Sequence, residues 1–219
     1  MHPLLYAITP ADLDDAQLLE KSAEVLRGGC QWLQYRDKSG DPKRRERQAR
    51  ALLSLCHEHH AKLIINDDLE LALHINADGV HLGQDDGNHN QVRHLLGTDK
   101  IFGVTCHDSL ALARKAIAQG ASYIAFGRFF ASNTKPHAKP APLTLIREAR
   151  AEFGEQQICV IGGINQTRAQ ILLNEGADTL AVSEALFGTD NAEKATRDLL
   201  STITPSSLLS ASSCIKDFL

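Results

Sequence analysis

Residues 64–86 read I-I-N-D-D-L-E-L-A-L-H-I-N-A-D-G-V-H-L-G-Q-D-D, and this stretch decides the fold. Two short apolar runs bounded by polar residues flank a brief amphipathic segment, a pattern that predicts two buried strands joined by one short crossover helix. A crossover of that kind makes the strands parallel neighbours. Asp67 and Asp86, 19 residues apart and each beside an amide side chain, then arrive at the same edge of the sheet. Paired carboxylates there suit a hard divalent cation such as Mg2+, which takes one or two carboxylates and completes its shell with water and substrate phosphates. The plain alternative for either residue is a helix cap, a common place for Asp just after a strand.

The strand-then-helix unit repeats outward in both directions. Apolar runs at 4–8, 32–36, 62–66, 79–82, 101–105, 123–126, 158–161 and 179–182 predict eight strands, with helical patterns at 15–27, 44–59, 110–119, 143–152, 166–174 and 191–200. Eight such units in a chain of 219 residues predict a single α/β domain, a (β/α)8 TIM barrel over residues 1–200, in preference to a doubly wound open sheet, which rarely needs eight units of such even length. Glycines at Gly28-Gly29, Gly120 and Gly176 fall where helix C-caps belong. The runs G-A-S-Y-I-A at 120–125 and G-A-D-T-L-A at 176–181 use one junction twice. Residues 201–219, Ser-rich and broken by Pro205, lie past the eighth unit and are expected to form a poorly ordered tail.

Composition narrows the function. A formal charge of −4 with 43% hydrophobic residues carries no basic excess for nucleic acid. The five cysteines, at 30, 56, 106, 159 and 214, form no C-x-x-C pair, which argues against a zinc site or a disulfide framework. No signal peptide and no apolar run of membrane-spanning length is evident. A cytoplasmic protein acting on small molecules is expected, without a membrane partner; self-association into a homo-oligomer is left open.

In a barrel of this kind the functional side chains sit where strands end and βα loops begin. Alternation places Gln34 and Arg36 on one side of the second strand, with Lys38 just beyond; the Arg fork and the Lys point charge both suit phosphate. The loop after the sixth strand is rich in hydroxyls and ends in Lys135. Gly162-Gly163 allow close backbone approach, and the next helix starts near Asn165, giving an anion site at a helix N-terminus. Taken singly, these are surface charges, a tight turn and a solvated loop. Together they predict a site for more than one phosphate group and a divalent ion. The group His57-Glu58-His59-His60 lacks the H-E-x-x-H register of a metal helix and reads as surface histidines.

The motifs L-Y-A-I-T, Q-Y-R-D-K, I-I-N-D-D, D-G-V-H-L-G-Q-D-D, F-F-A-S-N-T-K-P and V-I-G-G-I-N, in this order and spacing, resemble the thiamine-phosphate synthase family over residues 4–190. The resemblance implies a magnesium-dependent transferase of thiamine biosynthesis. Its reaction joins 4-amino-2-methyl-5-pyrimidinylmethyl diphosphate to a thiazole phosphate by a dissociative displacement that releases pyrophosphate. It implies Asp67 and Asp86 as metal ligands, and Arg36, Lys38, Asn66 and Lys135 as diphosphate contacts. Gln34 and His81 would hold the pyrimidine, and Thr105 stands where the family commonly has serine near the diphosphate. Ser132 and Thr134 would meet the thiazole phosphate, cradled by Gly162-Gly163 and the backbone around Val182 and Ser183. Arg128 departs from a common proline and Ser132 from a commoner threonine. Two other readings stand beside this one: a thiazole tautomerase, whose catalytic histidine would fall at His107, and a non-catalytic phosphometabolite-binding barrel. The complete set Arg36, Lys38, Asp67, Asp86 and Lys135 favours the synthase.

Overall fold

Eight strands form where the apolar runs predict them. In the computed structural model, which describes residues 4–131 and 140–203, they close in chain order into one parallel barrel. The strands are β1 (Leu4–Ile8), β2 (Trp32–Tyr35), β3 (Lys62–Asn66), β4 (Gly79–Leu82), β5 (Ile101–His107), β6 (Tyr123–Gly127), β7 (Gln157–Ile161) and β8 (Thr179–Val182). The helices are α1 (Asp15–Arg27), α2 (Pro42–Glu58), α3 (Leu69–His74), α4 (His89–Leu96), α5 (Leu110–Ala118), α6 (Thr144–Phe153), α7 (Gln166–Asn174), α8 (Glu184–Phe187) and α9 (Ala192–Ile203). None of the described helices is long and apolar enough to cross a membrane. Residues 201–203 of the expected tail belong to α9, and Ser132, Thr134, Lys135 and residues 204–219 lie outside the described residues.

Three strand ends differ from expectation. β2 stops at Tyr35, so Arg36 belongs to the loop, where its amide donates to the Thr9 hydroxyl at 3.0 Å. β5 continues past Thr105 to His107, with a register shift against β6 between those residues and a left-handed φ of 51° at His107. β6 runs one residue further, to Gly127. Side-chain caps start several helices on cue. Asp14 and Gln17 make a reciprocal capping box on α1, and Asp41 caps α2 ahead of Pro42.

The rim at the strand N-termini repeats four times. The second residue of each odd strand donates its amide to the side chain that directly precedes the next even strand. The pairs are Leu5 to Gln31 at 3.1 Å, Leu63 to Asp78 at 2.9 Å, Phe102 to Ser122 at 3.0 Å and Ile158 to Asp178 at 2.8 Å. Each bond satisfies an amide at the open edge of the ladder, where an unpaired donor would be costly. Two arginines brace this rim from outside, which accounts for the doubled glycine junction. Arg93 reaches the carbonyls of Gly97, Lys100 and Gly120 and the Ser122 hydroxyl; Arg150 reaches those of Gly154, Gln156 and Gly176 and the Asp178 carboxylate.

Two apolar layers result. Outward strand residues such as Leu5, Leu33, Leu63, Val80, Phe102 and Phe126 pack under the helices, whereas Tyr6, Ile8, Ile64, Tyr123, Ala125, Cys159 and Ala181 fill the barrel. Tyr123 fits only because Gly103 lies opposite it: a Cβ there would sit 2.0 Å from the Tyr123 ring. Its edge-to-face contact with Tyr6, at 5.9 Å between centroids, adds about 0.5–1.5 kcal/mol beyond area burial.

Candidate active site

At the opposite rim, β3 hands its last residue to a sharp turn. Asp67 takes a left-handed φ of 61°, a conformation Asp tolerates better than most residues, while its amide donates to the His81 carbonyl at 2.8 Å. Capping of α3 falls to Asp68, whose side chain accepts from the Leu71 amide at 2.9 Å and pairs with Arg45. Asp67 is thereby released from the capping role. Asp86 lies in the loop after β4, one oxygen accepting from the Gly83 amide at 2.8 Å, and Asn88 rather than Asp86 caps α4.

The two carboxyl groups hydrogen-bond each other, and the Lys38 ammonium pairs with Asp67. Burial opposes ionisation of Asp67, but the Asp86 and Lys38 hydrogen bonds, the Lys38 charge and the Asn66 amide outweigh it, and the group titrates below the usual Asp range. Asp86 moves the other way, raised by burial and then by its contact with the Asp67 carboxyl, against the opposing pull of the Gly83 amide. Neighbouring carboxylates disfavour each other's ionisation, and a cation between them would relieve this. Among the described residues no cluster of three or more His, Cys, Asp or Glu side chains is placed to hold a metal. Two carboxylates beside the Asn66 amide fit a cation that keeps water and phosphate in most of its positions.

Below this pair a hydrogen-bonded line crosses the barrel. Gln34 Nε2 donates to the Tyr6 hydroxyl at 2.7 Å, the Tyr123 hydroxyl lies 3.0 Å from that of Tyr6, and His81 joins Tyr123 through Nδ1 and Thr105 through Nε2, both at 2.8 Å. Burial raises both phenol pKa values, so both hydroxyls stay protonated. With the Tyr123 hydroxyl donating to Tyr6, its oxygen is left to accept from His81 Nδ1–H, while Nε2 meets the Thr105 hydroxyl. Gln84 donates to the Thr105 carbonyl and steadies the β5 irregularity. Sequence reasoning found Gln34, His81 and Thr105 but missed Tyr6, Tyr123 and Gln84. The available signal was Gly103, a small residue in a strand otherwise filled by larger ones.

On the far side, Gly162 and Gly163 turn the chain with φ of 110° and 60°. The segment after β6 lies against them, with the Phe129 amide on the Ile161 carbonyl at 3.1 Å and the Phe130 amide on that of Gly162 at 3.2 Å. A Cβ on Gly162 would come within 2.4 Å of Arg128 Cβ, so glycine is required for the approach. Asn165 caps α7, as expected. Val182 is buried at the end of β8, and Ser183 begins α8 without a side-chain cap bond. His107 is exposed, and His57 pairs with Asp78 at 3.0 Å at the opposite rim, remote from the paired carboxylates.

The family model described as thiamine monophosphate synthase matches residues 5–186. The chain belongs to this family. Among relatives of the thiamine monophosphate synthase family, the thiamine-phosphate synthase of Saccharophagus degradans is 52% identical over 203 residues, covering 92% of this chain and 93% of its own. That of Alcanivorax borkumensis is 51% identical, with 89% and 91% covered. Thiamine phosphate pyrophosphorylase from Pyrococcus furiosus superposes with a TM-score of 0.79 at 29% identity, covering 91% of this chain and 95% of its own.

Proposed function

We infer that this chain is a thiamine-phosphate synthase, condensing 4-amino-2-methyl-5-pyrimidinylmethyl diphosphate with thiazole phosphate to give thiamine phosphate and pyrophosphate. The observation that carries the reading is identity above half with synthases across nine-tenths of both chains. In this reading the bond between the pyrimidine methylene and the diphosphate oxygen breaks first. The thiazole nitrogen lone pair then forms the new C–N bond. No side chain has to act as nucleophile or proton acceptor, and the work is electrostatic.

Asp67 and Asp86 would hold Mg2+, which when bound supplies positive charge to the departing diphosphate. Lys38, the partner of Asp67, would meet the same oxygens together with Arg36 and Lys135. Asn66 borders the diphosphate. Gln34 and His81, fixed by the line through Tyr6 and Tyr123, present a preset polar surface to the pyrimidine, and Thr105 ends that line toward the diphosphate. Gly162, Gly163, Val182 and Ser183 offer backbone to the thiazole phosphate, with Ser132 and Thr134 beside it. The four described cysteines are free and buried, which suits the reducing cytoplasm proposed for this enzyme.

The test supplies both substrates with magnesium and follows thiamine phosphate by chromatography. Product that disappears on chelation and returns with magnesium is expected. Rearrangement of the thiazole alone would move the chain to the tautomerases, and binding without turnover would make it a binding barrel.

A further inference from the structure

Arg168 has no role in the chemistry above, yet the Gly162-Gly163 turn and the segment after β6 both converge on it. It lies in the first turn of α7, where the helix dipole disfavours a cation, so its place must be justified by local partners. There are two. One guanidinium nitrogen donates to the Gly163 carbonyl at 2.6 Å, and the guanidinium lies over the Phe130 ring at 4.9 Å from its centroid. Phe130 is itself tied to the turn through its amide on the Gly162 carbonyl. One planar side chain thus fastens residues 129–130 to residues 162–163.

The peptide joining Gly163 to Ile164 gives this lock its consequence. In a trans peptide the C=O and N–H point in opposite directions, so a carbonyl pinned toward Arg168 turns the Ile164 amide away from it. Neither the Gly163 nor the Ile164 amide has a backbone acceptor among the described residues. A glycine pair without the lock could rotate these peptides freely.

We propose that Arg168 is a positioning residue for the thiazole phosphate: by holding the Gly163 carbonyl and the Phe130 ring it aims the Gly163 and Ile164 amides at the anion. This rests on the synthase reading for the identity of the substrate. Arg168 acts through the backbone, and its planar fork and stacking face suit it better than lysine.

The experiment titrates thiazole phosphate alone, without magnesium or the pyrimidine, into wild type, Arg168→Met, Arg168→Lys and the control Arg147→Met, followed by steady-state kinetics with each substrate varied. Arg147 is a surface residue paired with Glu175 at 2.7 Å, and its variant should bind as wild type does. Arg168→Met is expected to weaken thiazole phosphate binding and raise its KM about tenfold, the size of one charge-assisted hydrogen bond. Its kcat and the KM for the pyrimidine diphosphate should stay within about twofold, as for a contact equal in ground and transition states. Arg168→Lys keeps a donor and should recover part of the affinity. Unchanged binding in Arg168→Met, or a parallel loss in both substrates and kcat, overturns the proposal. Should Arg168→Met fail to fold, the Gly163 and Ile164 amide resonances of wild type decide, since titration with inorganic phosphate must shift them. Wild type that binds thiazole phosphate but forms no thiamine phosphate would sink the synthase reading and leave the role of Arg168 standing.

Discussion

Replacing Asp67 by Asn, Ala and Gly separates what its carboxylate does from what its backbone demands. At φ 61° the residue sits where Asp, Asn and Gly are tolerated and a Cβ without a short polar group costs about 1–2 kcal/mol. The ion pair with Lys38 is half in solvent, with side chains 53% and 25% exposed, and such pairs contribute about 0–1 kcal/mol. Removing the charge also relieves Asp86 of its like-charged neighbour, which offsets part of that loss. Asp67→Asn should therefore unfold within about 1 kcal/mol of wild type. Asp67→Ala should fall about 1–2 kcal/mol below Asn, a drop in Tm of about 2–4 °C for each kcal/mol in a chain of this size. Asp67→Gly should regain most of the difference. Urea unfolding gives the stabilities and the magnesium-dependent assay gives turnover, which all three should lose alike because none retains the carboxylate. Equal stability of the Ala and Asn variants would refute the backbone argument. Turnover kept in Asn but lost in Ala would refute the ligand assignment, since the defect would then lie in the turn.

The raised Asp86 carboxyl binds its proton more tightly folded than unfolded, so without magnesium it contributes stability at low pH that is lost as pH rises from the ordinary Asp value through the folded one. Asp86→Asn should thus gain on wild type in chelator between acid and neutral pH; parallel urea midpoints across that range would reject the coupling. Asp67, depressed, contributes in the opposite sense, stabilising above the ordinary Asp value and losing this as pH falls through its own lowered one. Tyr123→Phe removes the acceptor of buried His81 Nδ1 and should cost about 1–3 kcal/mol in urea unfolding, an outcome under about 0.5 speaking against the buried line. Gly162→Ala combines a φ of 110° with a Cβ at 2.4 Å from Arg128 Cβ, and should lose about 2–4 kcal/mol together with affinity for thiazole phosphate. Wild-type behaviour in that variant would mean the two loops are not held together as described.

Much of the barrel was legible because the apolar runs are short and separated by caps that announce most of the helices. β1, β3, β4 and β8 have the predicted bounds, and α1 and α7 start and stop where their patterns do. The extension of β5 to His107 was not legible, since an irregularity depends on how β6 pairs with it and on the Gln84 side chain that steadies it. Sequence left a helix cap open as the plain alternative for Asp67 and Asp86; the structure gives the α3 cap to Asp68 and the α4 cap to Asn88. The paired carboxylates follow from the parallel order of β3 and β4, a local property. Tyr6 and Tyr123, 117 residues apart, meet only because the barrel closes, and no spacing rule reaches that far.

The four amide bonds of the lower rim join residues only 15 to 26 positions apart, whereas β1 and β8 pair across almost the whole chain, Tyr6 against Ala181. During synthesis each quarter can seal its own rim as soon as its second strand has left the ribosome, before the later strands exist. The seam is different. β1, with the sequence LLYAI, keeps one edge of backbone donors and acceptors unpaired until β8 emerges. An apolar strand with an open edge is a template for pairing with other chains. The hazard for this protein is thus concentrated in time, in the interval when nearly all of the barrel has formed and its first strand still waits for its last neighbour.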